Sequence, residues 1–453
     1  MQTHLGHGPT MQLAHWISHI RHSDLPLHTQ QVARLALLDT IGCGTYGFVT
    51  SWTQALLQWV EQGASQGLSR IWNQKQTRVR AADAAMINGT SCHAFELDDY
   101  HNAKLHPGAV VIPAVLAMAE ALNSPGERLL CAIAVGYEVM IRSSLALEPS
   151  AARLRGWHLT GVCGPFGAAA ACAVLMGLDT EKTAWALGLA GTQGAGLWAF
   201  NADGTMSKRL HAGKAAHSGV MAAELAAGGF SGPTQIYEFG DGGFLKAFSD
   251  ASNVTALTQA LGQVYHMDEV SMKPYACCGS THSYIDAALQ LRARLGNRWD
   301  PQRPVRVGMS HVVNVQCGFD YTPSSALNAQ MSLRYCLAVA LHDGQVLPEQ
   351  FTEAKMHDEG LQKIASALVR EPDPSLDKLY PAHFAGWVAT LVDQDWMRVD
   401  ILDPTGSTAC PVDYDGVVRK FTSNNPTLDV SRISEVAMQI EKHTARELID
   451  LLH

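Results

Sequence analysis

The sequence predicts a mainly α protein: a large all-helical domain into which a smaller α/β domain is inserted. Three observations carry this. Between about 25 and 227, apolar residues recur at steps of three and four, the spacing of a buried helix face. After about residue 268 the pattern turns valine-rich and partly alternating, as strands do, before the helical C-terminal stretch DVSRISEVAMQIEKHTARELIDLL. A chain of 453 residues is also long for a single core, so two domains are the prior. The resulting boundaries are 1–268 plus 400–453 for the helical domain and 269–399 for the α/β domain.

In chain order, Leu27, Val32, Leu35, Leu37 and Leu38 predict a helix leading into a turn at Gly42 and Gly44. A second helix is expected through TQALLQWVEQ (53–62). A third runs through AADAAMINGTSCHAFEL, which is rich in good helix formers. Pro107 ends or bends what precedes it, because the residue before a proline avoids helical angles. Further helices are expected over 112–122, 129–145, 165–176 and 181–189, joined by short Gly or Pro breaks. The stretch GVCGPFGAAAACAVLMGL (161–178) carries no charge and approaches membrane-span length. Dominated by Gly and Ala and lacking basic flanks, it reads as the central helix of a bundle. In the inserted domain, PVRVGMSHVVNVQCG (304–318) reads as a strand. LNAQMSLRYCLAVALHDG and TEAKMHDEGLQKIASALV read as helices, and WVATLVDQ and WMRVDILDPTGST as two strands joined by a turn.

Composition narrows the function classes. The 33 basic and 42 acidic residues give a formal net charge of −9. That argues against a general nucleic-acid binder, which needs a positive face, while leaving room for a local basic pocket around a small anion. The start, MQTHLGHGPTMQ, lacks the charged-then-apolar pattern of a leader, so a cytoplasmic protein without membrane attachment is expected. The ten cysteines include no C-x-x-C, so zinc ribbons, redox pairs and the usual iron–sulfur runs lack their spacing. Reduced, mostly buried thiols are expected.

Three clusters carry chemical potential. In AFELDDYHNAKLH (94–106), Glu96, Asp98 and Asp99 fall within four positions, with His93, His101 and His106 around them. On a helix through 91–101, His93, Glu96 and Tyr100 would share one side. The stretch is either a solvated acidic helix end or a wall that moves protons. Carboxylate and imidazole together suit several divalent ions. Neither H-E-x-x-H nor a facial-triad spacing is present, so no metal is expected. In RGWHLTGVCGPFG (155–167), His158 stands just before an apolar helix, whose N-terminus attracts carboxylates. The alternative there is a hydrogen-bonded histidine at a helix start. In NADGTMSKRLHAGKAAHSGVMAAELA (201–226), Arg209 and Lys214 suit an outer face, and Lys208 is the candidate for an inward lysine that holds an anion. The glycines there fit no phosphate loop.

Taken together and in this order, NGTSCHAFELDDYHNAKLHPGAVVIPAVLA, GWHLTGVCGPFGAAAA, TMSKRLHAGKAAHSGV and KPYACCGSTH resemble the MmgE/PrpD family. The likeness runs from about residue 25 to the C-terminus. That family includes 2-methylcitrate dehydratases, cis-aconitate decarboxylases and an iminodisuccinate epimerase. The resemblance implies a helical domain with a smaller α/β lid, usually in a homodimer, acting on a small polycarboxylate without metal or organic cofactor. Residue by residue, it makes His106 and His158 active-site histidines and Lys208 the lysine of its motif. Lys273 corresponds to a lysine near the site, and Tyr335 by position to a tyrosine that reaches the pocket from the lid. Counting back from His106, the decarboxylases' pocket aspartate falls on Glu96 and their threonine on Tyr100.

The expected catalytic set is therefore His106, His158, Lys208 and Tyr335, with Glu96, Asp99, Tyr100 and Lys273 binding substrate. His106 and His158 form the acid–base pair, since an imidazole titrates near neutrality. Lys208 and Lys273 spread the charge of a carbanion-like centre. Glu96, Asp98 or Asp99 can orient a histidine or raise its pKa. The function implied is a lyase that dehydrates or decarboxylates a di- or tricarboxylate. The alternatives are an epimerase of a dicarboxylate, a non-catalytic helical dimer that binds an acid or a partner protein, and a metal hydrolase.

Overall fold

The computed structural model describes residues 8–380 and 382–453, so most of the start MQTHLGHGPTMQ, read as lacking a leader pattern, lies outside the described residues. The protein is mainly α, with small sheets. It forms two units. The larger holds the residues up to Ala94, Asp98–Met272 and Tyr414–His453; the smaller holds Phe95–Leu97 and Lys273–Asp413. The breaks at 272/273 and 413/414 differ from the expected 268/269 and 399/400. The later of the expected breaks would cut a strand that continues to Ile401.

The larger unit begins with α1 (Pro9–His19), α2 (Leu27–Gly47), α3 (Ser51–Gln62) and α4 (Ala81–Cys92), the last two separated by short strands β1 (Ser69–Arg70) and β2 (Arg78–Val79). It continues with α5 (Gly108–Leu122), α6 (Gly126–Ala146), α7 (Pro149–Leu154), α8 (Leu159–Met176) and α9 (Thr180–Gly191). Next come α10 (Phe200–Asp203), α11 (Ser207–Ala227) and α12 (Phe244–Phe248). The uncharged stretch forms α8, which is buried from Leu159 to Leu175 and packs against α6 and α11. A helix that is apolar all round belongs in a core. Both α6 and α8 are long and apolar enough to cross a membrane, but each is 94% buried within this fold. The expected turn at Gly42 and Gly44 does not form, because α2 runs through both. A Cβ on Gly44 would lie 2.4 Å from the Trp72 ring, so this glycine provides packing space rather than a break.

The smaller unit is built on a four-stranded sheet of β3 (Val305–Met309), β4 (Val369–Pro372), β5 (Gly386–Val392) and β6 (Asp395–Ile401), in the order β4-β3-β5-β6. β3 pairs in parallel with β4, and the other pairs are antiparallel. The β5–β6 hairpin turns at Asp393 and Gln394, both at positive φ (47° and 77°), the backbone that a tight two-residue turn requires. Around the sheet lie α13 (His282–Leu295), α14 (His311–Cys317), α15 (Ala326–Met331), α16 (Leu333–Asp343), α17 (Glu353–Met356), α18 (Glu359–Ala367) and α19 (Pro374–Asp377). The strand expected over 304–318 stops at Met309. Ser310 Oγ accepts from Val313 N and starts α14, so HVVNVQC is helical despite its valines. The two long helical readings each split: Ser332 caps α16 within the first, and the second ends in the edge strand β4.

The chain then returns to the larger unit as α20 (Tyr414–Asn424), α21 (Val430–Met438) and α22 (Ala445–Ile449). α20 and α21 pack on α2, and Lys420 Nζ donates to Asp39 Oδ1 at 2.7 Å across 381 residues of sequence. A second buried pair joins Arg142 to Glu138 at 2.6 Å, and Arg142 also donates to the carbonyls of Ala256, Gln259 and Val264. Buried charges persist where they are paired and hydrogen-bonded in this way. All ten cysteines are free, and only Cys410 is exposed.

Candidate active site

The acidic run is a loop. α4 ends at Cys92, His93 caps it, and Glu96 adopts a left-handed φ of 54°, so the expected helix through 91–101 does not exist. The reason is a contact that no helix can make. Five residues on, Asp98 would stand roughly 140° round a helix from His93. In the loop its Oδ2 lies 2.7 Å from His93 Nδ1. The same Oδ2 is 3.3 Å from His106 Nδ1, which is nearer still (2.8 Å) to the Asp99 carbonyl oxygen. Both partners of His106 Nδ1 are acceptors. That nitrogen therefore carries the hydrogen, and a neutral His106 has its lone pair on Nε2.

Asp99, expected to bind substrate, has both carboxylate oxygens engaged within the protein. Its Oδ1 accepts from Gly108 N at 2.8 Å and its Oδ2 from Tyr137 Oη at 2.7 Å, so the two oxygens pin the loop to the start of α5 and to α6. Burial, aided by the charge of Asp98, pushes this carboxyl up to about 7 against those two hydrogen bonds. Tyr100 pairs through its backbone with Ser271, by bonds of 2.9 and 2.8 Å.

His158 occupies the first position before α8 but does not cap it with its side chain. Its ring stacks 6.0 Å from that of His93 and meets the Trp198 and Phe200 rings edge-on at 5.8 and 5.4 Å. Its Nδ1 is 3.0 Å from Nδ1 of His211. Lys208 sits buried in the first turn of α11, with its Nζ 5.8 Å from the centre of the Phe200 ring. Burial, then the neighbouring His93 and Lys208, hold the His158 imidazole well below its ordinary range. Burial also lowers His93 to about 4, against the pull of Asp98. Burial disfavours the Asp98 charge, yet His93 and His106 outweigh it and keep Asp98 well below the usual carboxylate range.

These shifts have a sign. The unfolded chain takes up protons at His93 and His158 that the folded chain refuses, so their contribution to stability is present above pH 6.5 and fades as the pH falls. Between pH 6.5 and 4, His93 alone accounts for at most about 3 kcal/mol of this loss. Denaturant titrations of wild type and His93→Gln at pH 7 and pH 5 check it. The variant is expected to lose less stability on acidification, and an equal loss refutes the assignment.

His93, Asp98 and His106 also bring three metal-capable donor atoms within 4.8 Å of one another. In this arrangement Nδ1 of both histidines faces one carboxylate oxygen at hydrogen-bond distance.

Two expected site residues belong to the smaller unit as a pair. Lys273 Nζ donates to the Glu96 carbonyl at 3.0 Å and lies 3.4 Å from Glu96 Oε2, with both side chains buried. Tyr335, expected among the catalytic residues, lies in the same unit. Its hydroxyl donates to the Gln350 carbonyl at 2.6 Å and its ring packs 4.8 Å from Tyr321 and 5.7 Å from Phe351, which makes it a core residue of that unit.

In the larger unit, then, His106, His158 and Lys208 gather, and with them come His93 and His211, outside the expected set, and Asp98, expected only as a group that orients a histidine. A His–Asp spacing of five carries no signal while the stretch is read as helix. For His211 the signal was there, one turn after Lys208 on the same face of α11. The assembly offers a histidine with a fixed tautomer, a second buried imidazole and an ammonium group. Those are the parts needed to move a proton beside a negatively charged substrate.

Comparison with known proteins agrees with this chemistry. The family model of the MmgE/PrpD N-terminal domain matches residues 11–257, and that of the C-terminal domain matches residues 275–444. A cis-aconitate decarboxylase of Aspergillus terreus is 34% identical over 365 residues, covering 76% of this chain and 74% of that protein. A cis-aconitate decarboxylase-like protein of Aspergillus oryzae is 31% identical over 83% of this chain and 82% of its own length. The cis-aconitate decarboxylase of Homo sapiens is 31% identical over 77% and 74%. The chain therefore belongs to the MmgE/PrpD family and is an enzyme, a lyase of that type.

Proposed function

We propose that this enzyme is a cofactor-independent lyase of small di- or tricarboxylates, and that its reaction is the decarboxylation of an acid like cis-aconitate. The observation that carries this reading is the gathering of two imidazoles and one ammonium in the larger unit, the half-buried His106 with the buried His158 and Lys208. The names of the relatives favour loss of CO2 over loss of water. When the bond to the departing carboxylate breaks, its electron pair stays on carbon and spreads toward a neighbouring carboxylate. Lys208 stabilises that charge. A histidine then delivers a proton to the carbon. With Nδ1 committed to acceptors, His106 acts through Nε2.

The test is an assay of purified protein with cis-aconitate and with 2-methylcitrate. CO2 release matched by loss of substrate, undiminished by a chelator, is the expected outcome. Alkene formation without CO2 makes the enzyme a dehydratase, and solvent deuterium uptake without net conversion makes it an epimerase. Inactivity toward every small polycarboxylate overturns the reading.

A further inference from the structure

His158 is buried, and its Nδ1 faces another histidine nitrogen rather than a carboxylate or a carbonyl. Two Nδ1 atoms 3.0 Å apart can hold one hydrogen between them: two would clash, and none would set two lone pairs against each other. His211 is the more accessible of the two. It lines a cavity of about 340 Å³ in the larger unit, together with Gln193, Gly196, Phe200, Ser207 and Lys214, and His158 is not among the lining residues. The loop beside it is fitted to the pair. His158 N donates to the Gly196 carbonyl at 3.0 Å, and a Cβ on Gly196, whose φ is 128°, would stand 3.2 Å from His211 Nδ1. The other charged or titratable groups around the pair are His93 at the C-terminal cap of α4, His106, and Lys208 and Lys214 one turn to either side on α11.

We infer that His211 is the positioning residue of His158: it holds the shared hydrogen, sets the His158 tautomer, and connects that buried ring to water in the cavity. With the hydrogen on His158 Nδ1, the Nε2 of His158 is bare and acts as a base. With the hydrogen on His211 Nδ1, His158 carries its own hydrogen on Nε2 and acts as an acid. The interconversion balances. A proton taken from substrate at His158 Nε2 sends the Nδ1 hydrogen to His211 Nδ1, and His211 Nε2 releases its proton to water in the cavity. The reverse sequence delivers a proton to the substrate. This rests on the lyase reading above, but it is separable from it.

The experiment compares wild type, His211→Ala and His211→Gln in turnover and in NMR of the protein labelled with nitrogen-15 at histidine. In wild type, a downfield proton shared between two Nδ1 resonances is expected, and it disappears in both variants. Turnover is expected to fall by about 10-fold or more in both. Millimolar imidazole, entering the cavity, restores part of it in the alanine variant only, a response that a merely structural role would not give. Wild-type turnover in His211→Ala, or a loss that imidazole leaves unchanged, overturns the inference while leaving the lyase reading intact. If wild type is inert toward every polycarboxylate, the lyase reading fails, and absence of the shared proton then refutes the His211 assignment on its own.

Discussion

Lys208→Met and His158→Ala are each expected to lower turnover by about 10²-fold or more in a protein that still folds. Methionine keeps the buried stem of Lys208 and removes only the ammonium. That ammonium acts on His93, His158 and His211. Its loss should relieve those imidazoles and strengthen the hydrophobic packing beside Phe200 while leaving the substrate's new charge unmatched. His158→Ala removes a ring that makes aromatic contacts but caps nothing, so α8 keeps its start. Circular dichroism and thermal midpoints check the fold, and single-turnover rates check the chemistry. Near-normal rates in both variants would remove the two groups from the mechanism.

The second large effect is expected at Asp98. Its Oδ2 faces both His93 and His106, so an amide in its place offers an N–H where the rings now find only an acceptor. The Asp99 carbonyl still accepts from His106 Nδ1, so the tautomer is kept and the variant loses the negative charge beside the two rings. Asp98→Asn is expected to cost about 10²-fold in turnover. Asp98→Ala adds a stability loss of about 1–3 kcal/mol, because His93 Nδ1–H is left buried without an acceptor. His106 keeps the Asp99 carbonyl in either variant. Full activity in Asp98→Asn would show that the carboxylate serves packing alone.

The helical architecture was legible because buried helices of this size write their faces into the sequence at steps of three and four. The β5–β6 hairpin was legible from two apolar runs around a short polar turn. His106, His158 and Lys208 stood out because each marks the start of an element, where a polar side chain beside apolar neighbours is conspicuous. The acidic run was misread for a physical reason. Its residues have the propensity and spacing of a helix end, while tertiary hydrogen bonds from His93 to Asp98, and from Tyr137 and Gly108 to Asp99, outweigh that local preference. HVVNVQC misled in the opposite sense, since one serine cap sufficed to turn valine-rich sequence into helix. Tyr335 was assigned by resemblance of position, which does not reveal where a phenol points.

The pairing of Asp39 with Lys420 constrains how the enzyme is made. The acid leaves the ribosome 381 residues ahead of its ammonium partner, so the first long helix waits until the smaller unit has been made for the segment that completes its surroundings. A nascent chain halted after the smaller unit has every histidine of the proposed chemistry and still lacks part of the interior that supports them.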